Sequence, residues 1–202
     1  MVRHAHETIE YGFDAAMVAG SWVPVVAREL AGTGIPVASA LDFPTVGVMT
    51  TGGKAAEAAE LVRLGASQID IGVQIGWLKS GAYDAFRDDI AAVVNAAGVP
   101  IKVMLELPLL TEDEKAAAVE LAIEAGAAYL KNASSGSIEV ASVESIRYLV
   151  DRVPEGVRVK ASGSIKRRDQ AIALLNAGAD LLGTSAGIEI VTDTTNADTV
   201  SY

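Results

Sequence analysis

The 202-residue chain is predicted to be an α/β protein, a (β/α)8 TIM barrel apparently lacking its first strand, and three observations carry that prediction. Short, near-continuous apolar runs alternate with segments of helical periodicity, the pattern of a parallel sheet clad in helices. Three helix-to-strand joints repeat one wording, Leu64-Gly65-Ala66-Ser67, Ala125-Gly126-Ala127-Ala128 and Ala177-Gly178-Ala179-Asp180, each with a glycine suited to a left-handed helix C-cap. Ionisable residues stand inside four separate β runs: Asp70, Lys102, Lys131 and Lys160. An open sheet would bury them under helices with no common destination, whereas a barrel turns alternate side chains toward one closed centre.

Taken in order, His4 to Tyr11 reads as the latter part of a helix ended by Gly12, and Phe13 to Gly20 as a first strand. Trp22 to Ala31 reads as a helix and Ile35 to Asp42 as the second strand. The next helix runs from about Gly53 to Leu64, with Ala55, Ala58, Ala59, Val62 and Leu64 as its apolar stripe. Strands near Gln68 to Ile75, Pro100 to Glu106, Ala127 to Ala133, Val157 to Ser162 and Asp180 to Ser185 follow. Helices near Tyr83 to Ala97, Glu112 to Ala125, Val143 to Arg152 and Arg168 to Ala177 separate them. That makes seven strands, one short of closure, and the fragmentary first helix places the absent strand before Met1.

The length suits a single domain, 1–202, with a mobile C-terminal tail over 192–202. Half the residues are hydrophobic with few aromatics, which suits helices packed tightly on a sheet. A formal net charge of −10 disfavours nucleic acid or an anionic membrane as partner, so any phosphate must be captured by a local site. Cysteine is absent, which excludes disulfides, thiolate metal sites and a cysteine nucleophile. Met1 to Thr8 lacks the apolar core of an export signal, and no apolar stretch is long enough to cross a bilayer, so a cytoplasmic protein is expected. His4 and His6, near the terminus and without an acid cluster, are expected to be solvent-exposed and not metal ligands.

A strand lysine attacks a carbonyl when its amine is neutral, and a second ammonium beside it favours that form. Lys131, in the run Ala127-Ala128-Tyr129-Leu130-Lys131, and Lys160 lie on consecutive strands. Asp70 would move protons next to an imine, which together is the equipment of a class I aldolase. The residues alone leave open a structural reading, with Lys102 paired to Glu106 and Lys131 to Asp70. For phosphate, the loops Ser162-Gly163-Ser164-Ile165 and Gly183-Thr184-Ser185-Ala186-Gly187 follow the last two strands, where such barrels cradle anions, although the same residues make ordinary turns. Lys166-Arg167-Arg168 reads as a solvated helix start. Gly52-Gly53-Lys54-Ala55 lacks the spacing of a nucleotide loop and reads as a helix start.

In order and spacing, Ala40-Leu41-Asp42-Phe43-Pro44, Gly65-Ala66-Ser67-Gln68-Ile69-Asp70-Ile71, Ile75-Gly76-Trp77-Leu78-Lys79-Ser80-Gly81, Ile101-Lys102-Val103-Met104-Leu105-Glu106, Leu130-Lys131, Val159-Lys160-Ala161-Ser162-Gly163 and Gly183-Thr184-Ser185 resemble the deoxyribose-phosphate aldolase family. The resemblance covers nearly the whole chain from about Glu7. It implies a class I aldolase without metal or cofactor, interconverting 2-deoxy-D-ribose 5-phosphate with acetaldehyde and D-glyceraldehyde 3-phosphate. Its partners would be a small phosphorylated sugar and a short aldehyde, with a homo-oligomer as the candidate assembly. By the same resemblance Lys131 is the Schiff-base lysine, Lys160 the lysine that perturbs it, Asp70 the acid/base and Lys102 a further pocket lysine. Tyr202 matches a C-terminal tyrosine whose tail reaches the site, and Gly163, Ser164, Ser185 and Ser135 serve the phosphate. The family usually has Thr-Ser-Thr-Gly after its lysine, where this chain has Asn132-Ala133-Ser134-Ser135-Gly136. Leu107 replaces a common threonine, Gln74 an asparagine, Ser164 a second glycine and Ala186 a second serine. These departures keep open the alternative of a catalytically silent or substrate-shifted relative that binds a sugar phosphate.

Overall fold

In the computed structural model, which describes residues 1–44 and 46–194, the repeated glycine joints do what their wording requires. Gly65, Gly126 and Gly178 take φ of +113°, +92° and +104°, each directly after a helix cap, and turn the chain back into the sheet. The order is α1 (Val2–Glu10), β1 (Ala16–Met17), α2 (Val23–Glu29), β2 (Val37–Leu41), α3 (Thr51–Arg63), β3 (Gln68–Gly72), α4 (Ile75–Lys79), α5 (Tyr83–Ala97) and β4 (Ile101–Met104). Then come α6 (Glu112–Glu124), β5 (Tyr129–Lys131), α7 (Val143–Val150), β6 (Arg158–Ser162), α8 (Arg168–Asn176), β7 (Leu181–Gly183) and α9 (Gly187–Thr192).

The strands form one parallel seven-stranded sheet in sequence order, β1 to β7, and it curls into an incomplete barrel with the helices outside. Among the described residues β1 pairs only with β2 and β7 only with β6. The first strand is much shorter than the expected Phe13–Gly20. With one neighbour, the chain pairs only at Ala16 and Met17 and then enters a 3-10 turn at Gly20–Trp22. That turn also delays the following helix to Val23, with Pro24 in its first turn where a missing N–H costs nothing. The short helices α4 and α9 lie beyond the expected elements.

The core lies between the sheet and its helices. α5 shows how the sequence dictates it: Phe86, Ile90, Val93 and Ala97 recur at helical spacing and are all buried against the strands. α6 starts on a capping box, Thr111 Oγ1 accepting from Glu114 N at 3.3 Å while Thr111 N donates to Glu114 Oε2 at 2.8 Å. His6 is exposed beside Glu29, as expected of that residue. His4 is instead half-buried, on a cavity it shares with Met17, Val18 and Trp22, and its Nε2 is enclosed without a hydrogen-bond partner. No helix among the described residues is long and apolar enough to cross a membrane.

Candidate active site

Neighbouring strands bring the four ionisable strand residues into one cluster. The register sets Asp70 beside Lys102, Met104 beside Lys131, and Lys131 beside Lys160. Asp70 Oδ2 accepts from Lys160 Nζ at 2.7 Å and from Lys131 Nζ at 3.1 Å, while Oδ1 lies 3.4 Å from Lys102 Nζ. β3 and β6 are three strands apart, about 14 Å in a flat sheet. The Asp70–Lys160 contact is therefore made across the concave side of a strongly curled sheet. Gly183 keeps the route open, since a β-carbon there would sit 3.1 Å from Lys160 Cε. Lys102 pairs with Asp70 and not with Glu106, so of the two structural ion pairs left open by the sequence only Lys131–Asp70 forms.

Burial divides the cluster by role. Asp70 and Lys102 are fully buried, whereas Lys131 and Lys160 retain 6% and 5% exposure, so these two amines are the ones within reach of a small molecule. Burial pushes the Asp70 carboxyl upward, but the ammonium groups of Lys160, Lys131 and Lys102 outweigh it and hold the group well below the usual carboxylate range. Burial lowers Lys102 to about 8, against the partly compensating attraction of Asp70. Lys131 is lowered as well, first by burial and then by the Lys160 charge, with Asp70 opposing. A buried amine of reduced basicity beside a fixed carboxylate is equipped for nucleophilic attack on a carbonyl and for proton transfer.

Two further buried groups lie outside the cluster read from the sequence. Glu106 is fully buried at the end of β4 with φ +56°; its Oε1 accepts from Ser134 N at 2.9 Å, and Oε2 has no partner. Burial raises its pKa, with Lys131 opposing. Lys54, in the stretch read as a helix start, is fully buried. The helix start itself is as expected, Thr50 Oγ1 accepting from Gly53 N. Lys54 Nζ donates to Asp89 Oδ2 at 2.7 Å and to the Gly72 carbonyl at 2.8 Å, and lies 3.4 Å from Asp42 Oδ2. Asp42 in turn accepts from the backbone N–H groups of Gly47, Val48 and Met49, and Gln74 donates to the Met49 carbonyl, so this network shapes the loop after β2. A signal for it existed: Lys54 falls on the stripe Lys54-Ala58-Leu61, and Asp89 on Phe86-Asp89-Ile90-Val93.

The residues expected to serve phosphate lie on loops after β5, β6 and β7. Gly163 is buried with φ +122°, Ser164 is exposed with φ +47°, and Ser185 is exposed. Thr184 Oγ1 donates to the Ile165 carbonyl at 2.5 Å and so ties the last two loops together. Ser135 is half-buried, its hydroxyl 2.7 Å from that of Ser137. Lys166 and Arg168 are exposed, and Arg167 pairs with Asp169, in keeping with a solvated helix start. Tyr202 and most of the 192–202 tail lie outside the described residues. No group of three or more histidine or acidic residues placed to hold a metal is found among the described residues.

No protein-family model matches the chain. The chain is 42% identical over 190 residues to a curated deoxyribose-phosphate aldolase of Methanothermobacter thermautotrophicus, spanning 94% of this chain and 84% of that protein. A second, from Brevibacillus brevis, is 41% identical over 187 residues, spanning 92% and 84%. Among solved structures, an aldolase named QR15 superposes with a TM-score of 0.88 at 32% identity, covering 96% of this chain and 86% of that one. A tetrameric deoxyribose phosphate aldolase from Aeropyrum pernix gives 0.86 at 26% identity, covering 96% and 83%.

Proposed function

The chain belongs to the deoxyribose-phosphate aldolase family, and we propose that it cleaves and forms 2-deoxy-D-ribose 5-phosphate through an imine on Lys131. The observation that carries the reading is one buried carboxylate held among three strand lysines, of which only Lys131 and Lys160 touch accessible space. The neutral Lys131 amine adds to the C1 aldehyde of the open-chain sugar, and loss of water leaves the imine. Breaking the C2–C3 bond sends its electrons into the imine as an enamine, while the C3 hydroxyl proton passes to a base and glyceraldehyde 3-phosphate departs. Protonation of the enamine at C2 and hydrolysis release acetaldehyde and return the amine.

Asp70, held ionised but fully buried, would move the proton through a bridging water, and Lys102, lowered to about 8 and likewise buried, would complete the proton relay behind it. The Lys160 ammonium lies beside Lys131 and favours the neutral form of that amine. Gly163, Ser164, Ser185 and Ser135 would receive the phosphate, and Tyr202 would assist proton transfer from the tail. The excess of strand lysines over carboxylates gives an anion a local destination in a chain of net charge −10. The test is borohydride reduction with acetaldehyde or the sugar phosphate, followed by peptide mass spectrometry. An adduct is expected on Lys131; an adduct on another lysine, or none, overturns the assignment. Trapping on Lys131 with turnover of another sugar phosphate in a substrate panel, and none of 2-deoxy-D-ribose 5-phosphate, would identify a substrate-shifted relative.

A further inference from the structure

Lys131 is followed by Asn132, a fully buried residue where the family pattern has threonine. Its amide uses all its donors. Nδ2 donates to the Ser162 carbonyl at 2.9 Å and to Glu139 Oε2 at 2.9 Å, and Oδ1 accepts from Ser162 N at 2.9 Å. The side chain thus imitates one more rung of the β5–β6 ladder, directly beyond the Lys131–Lys160 pair. Glu139 completes the connection: its other oxygen accepts from the hydroxyls of Ser142 and Ser145, at the start of α7.

The same loop presses on the turn after β6. Ala141 N donates to the Gly163 carbonyl at 2.8 Å, and a β-carbon on Gly163 would collide with the Glu139 carbonyl oxygen. A β-carbon on Gly136 would collide with the Ser164 hydroxyl. Gly163 and Ser164 are therefore held at positive φ by direct contact with residues 136–141, and that segment hangs on Asn132. A threonine has one hydroxyl and cannot donate to two acceptors while accepting from the Ser162 amide.

We propose that Asn132 and Glu139 form a clamp that fixes the Gly163–Ser164 turn relative to the lysine strand, and that phosphate affinity depends on this clamp. The inference rests on reading that turn as the phosphate loop. Asn132 acts here as a positioning residue, since its polar atoms are all engaged with protein.

The experiment is titration of the full-length protein with inorganic phosphate, read by calorimetry. Asn132→Ala is expected to weaken phosphate binding by about tenfold, the worth of one or two buried hydrogen bonds. With the sugar phosphate, the same variant should lose kcat/KM mainly through KM. Glu139→Ala severs the clamp from its less buried end and carries the same expectation should Asn132→Ala not fold. Glu139→Gln, which keeps an acceptor, should lose less. Unchanged phosphate affinity in both alanine variants, or a wild type that does not bind phosphate, overturns the proposal. Borohydride trapping of Lys131 by acetaldehyde reports separately on the imine chemistry, because acetaldehyde carries no phosphate.

Discussion

Asp70→Asn is the most informative single substitution. In the native cluster the carboxylate lies 2.7, 3.1 and 3.4 Å from three ammonium nitrogens, and at an effective dielectric of about 20 each attraction is worth roughly 5–6 kcal/mol. Removing the charge does not forfeit that whole sum, because the lysines escape by losing protons. Discharging a lysine of ordinary pKa at pH 7 costs about 5 kcal/mol, and at pH 10 only about 1 kcal/mol. The variant is therefore expected to lose about 3–5 kcal/mol at pH 7, the usual cost of breaking a buried pair. The sign follows from linkage. With residue 70 uncharged, the folded pKa values of Lys102 and Lys131 fall further below the unfolded value, so the unfolded state binds more protons up to about pH 10.5 and stability rises with pH across that window. Wild type shares a part of this rise, because its Lys102 is already lowered to about 8. Urea unfolding followed by circular dichroism at pH 7 and pH 10 measures both arms. A deficit of the same size at both pH values, or no deficit at pH 7, would refute the electrostatic account of the cluster.

Three shorter predictions accompany it. Because burial and Lys160 lower Lys131, the rate of borohydride-trappable imine formation should climb with pH and level off below the ordinary lysine pKa; a midpoint at or above about 10.4 in a stopped-time trapping profile contradicts the assignment. Lys54→Met leaves Asp89 and Asp42 facing each other without a cation in a fully buried site, so a loss of about 3–5 kcal/mol is expected by chemical denaturation; a change under about 1 kcal/mol would mean the network is not stabilising. Glu106→Gln should be nearly neutral, since burial already favours the uncharged acid and glutamine keeps the acceptor for Ser134 N, whereas Glu106→Ala should cost about 1–3 kcal/mol; equal losses in the two variants would show that the charge matters and the hydrogen bond does not.

Much of the fold was legible because burial on both faces makes parallel strands apolar and leaves their helices periodic. The helix from Tyr83 to Ala97 was bounded correctly from sequence, with an apolar stripe on one side and Gly98 at its end. The first strand was overdrawn because Phe13 to Gly20 carries the residue types of a strand, while pairing requires a neighbour on hand, and β1 has one only at β2. The site divides in the same manner. Asp70, Lys102, Lys131 and Lys160 were visible because an ionisable residue inside an apolar run is conspicuous whatever its partners. Lys54 was not, since a lysine near a helix start is ordinary and only the rotation of α3 against β3 decides whether it points to water or to Gly72 and Asp89. Asn132 was noticed as a departure from a pattern, but its three hydrogen bonds depend on where the end of β6 and the loop after β5 come to rest.

The two buried networks also bear on each other. β3 carries Asp70 and, two residues on, Gly72, whose carbonyl binds Lys54; those positions are about 7 Å apart along the strand. By formal charge the lysine cluster has three cations to one anion, and the Lys54 network has two anions to one cation. Both networks are buried and so weakly screened, and the excess negative charge of the outer one offsets part of the positive excess around Asp70. The two aspartates that Lys54 holds together are then part of what lets three strand lysines share one carboxylate. Restoring neutrality to the outer network should accordingly alter the titration of the inner one. In Asp89→Asn the imine-forming amine loses a neighbouring anion, so its trapping profile should move to lower pH than in wild type, and a profile that does not move would show the networks to be electrostatically independent.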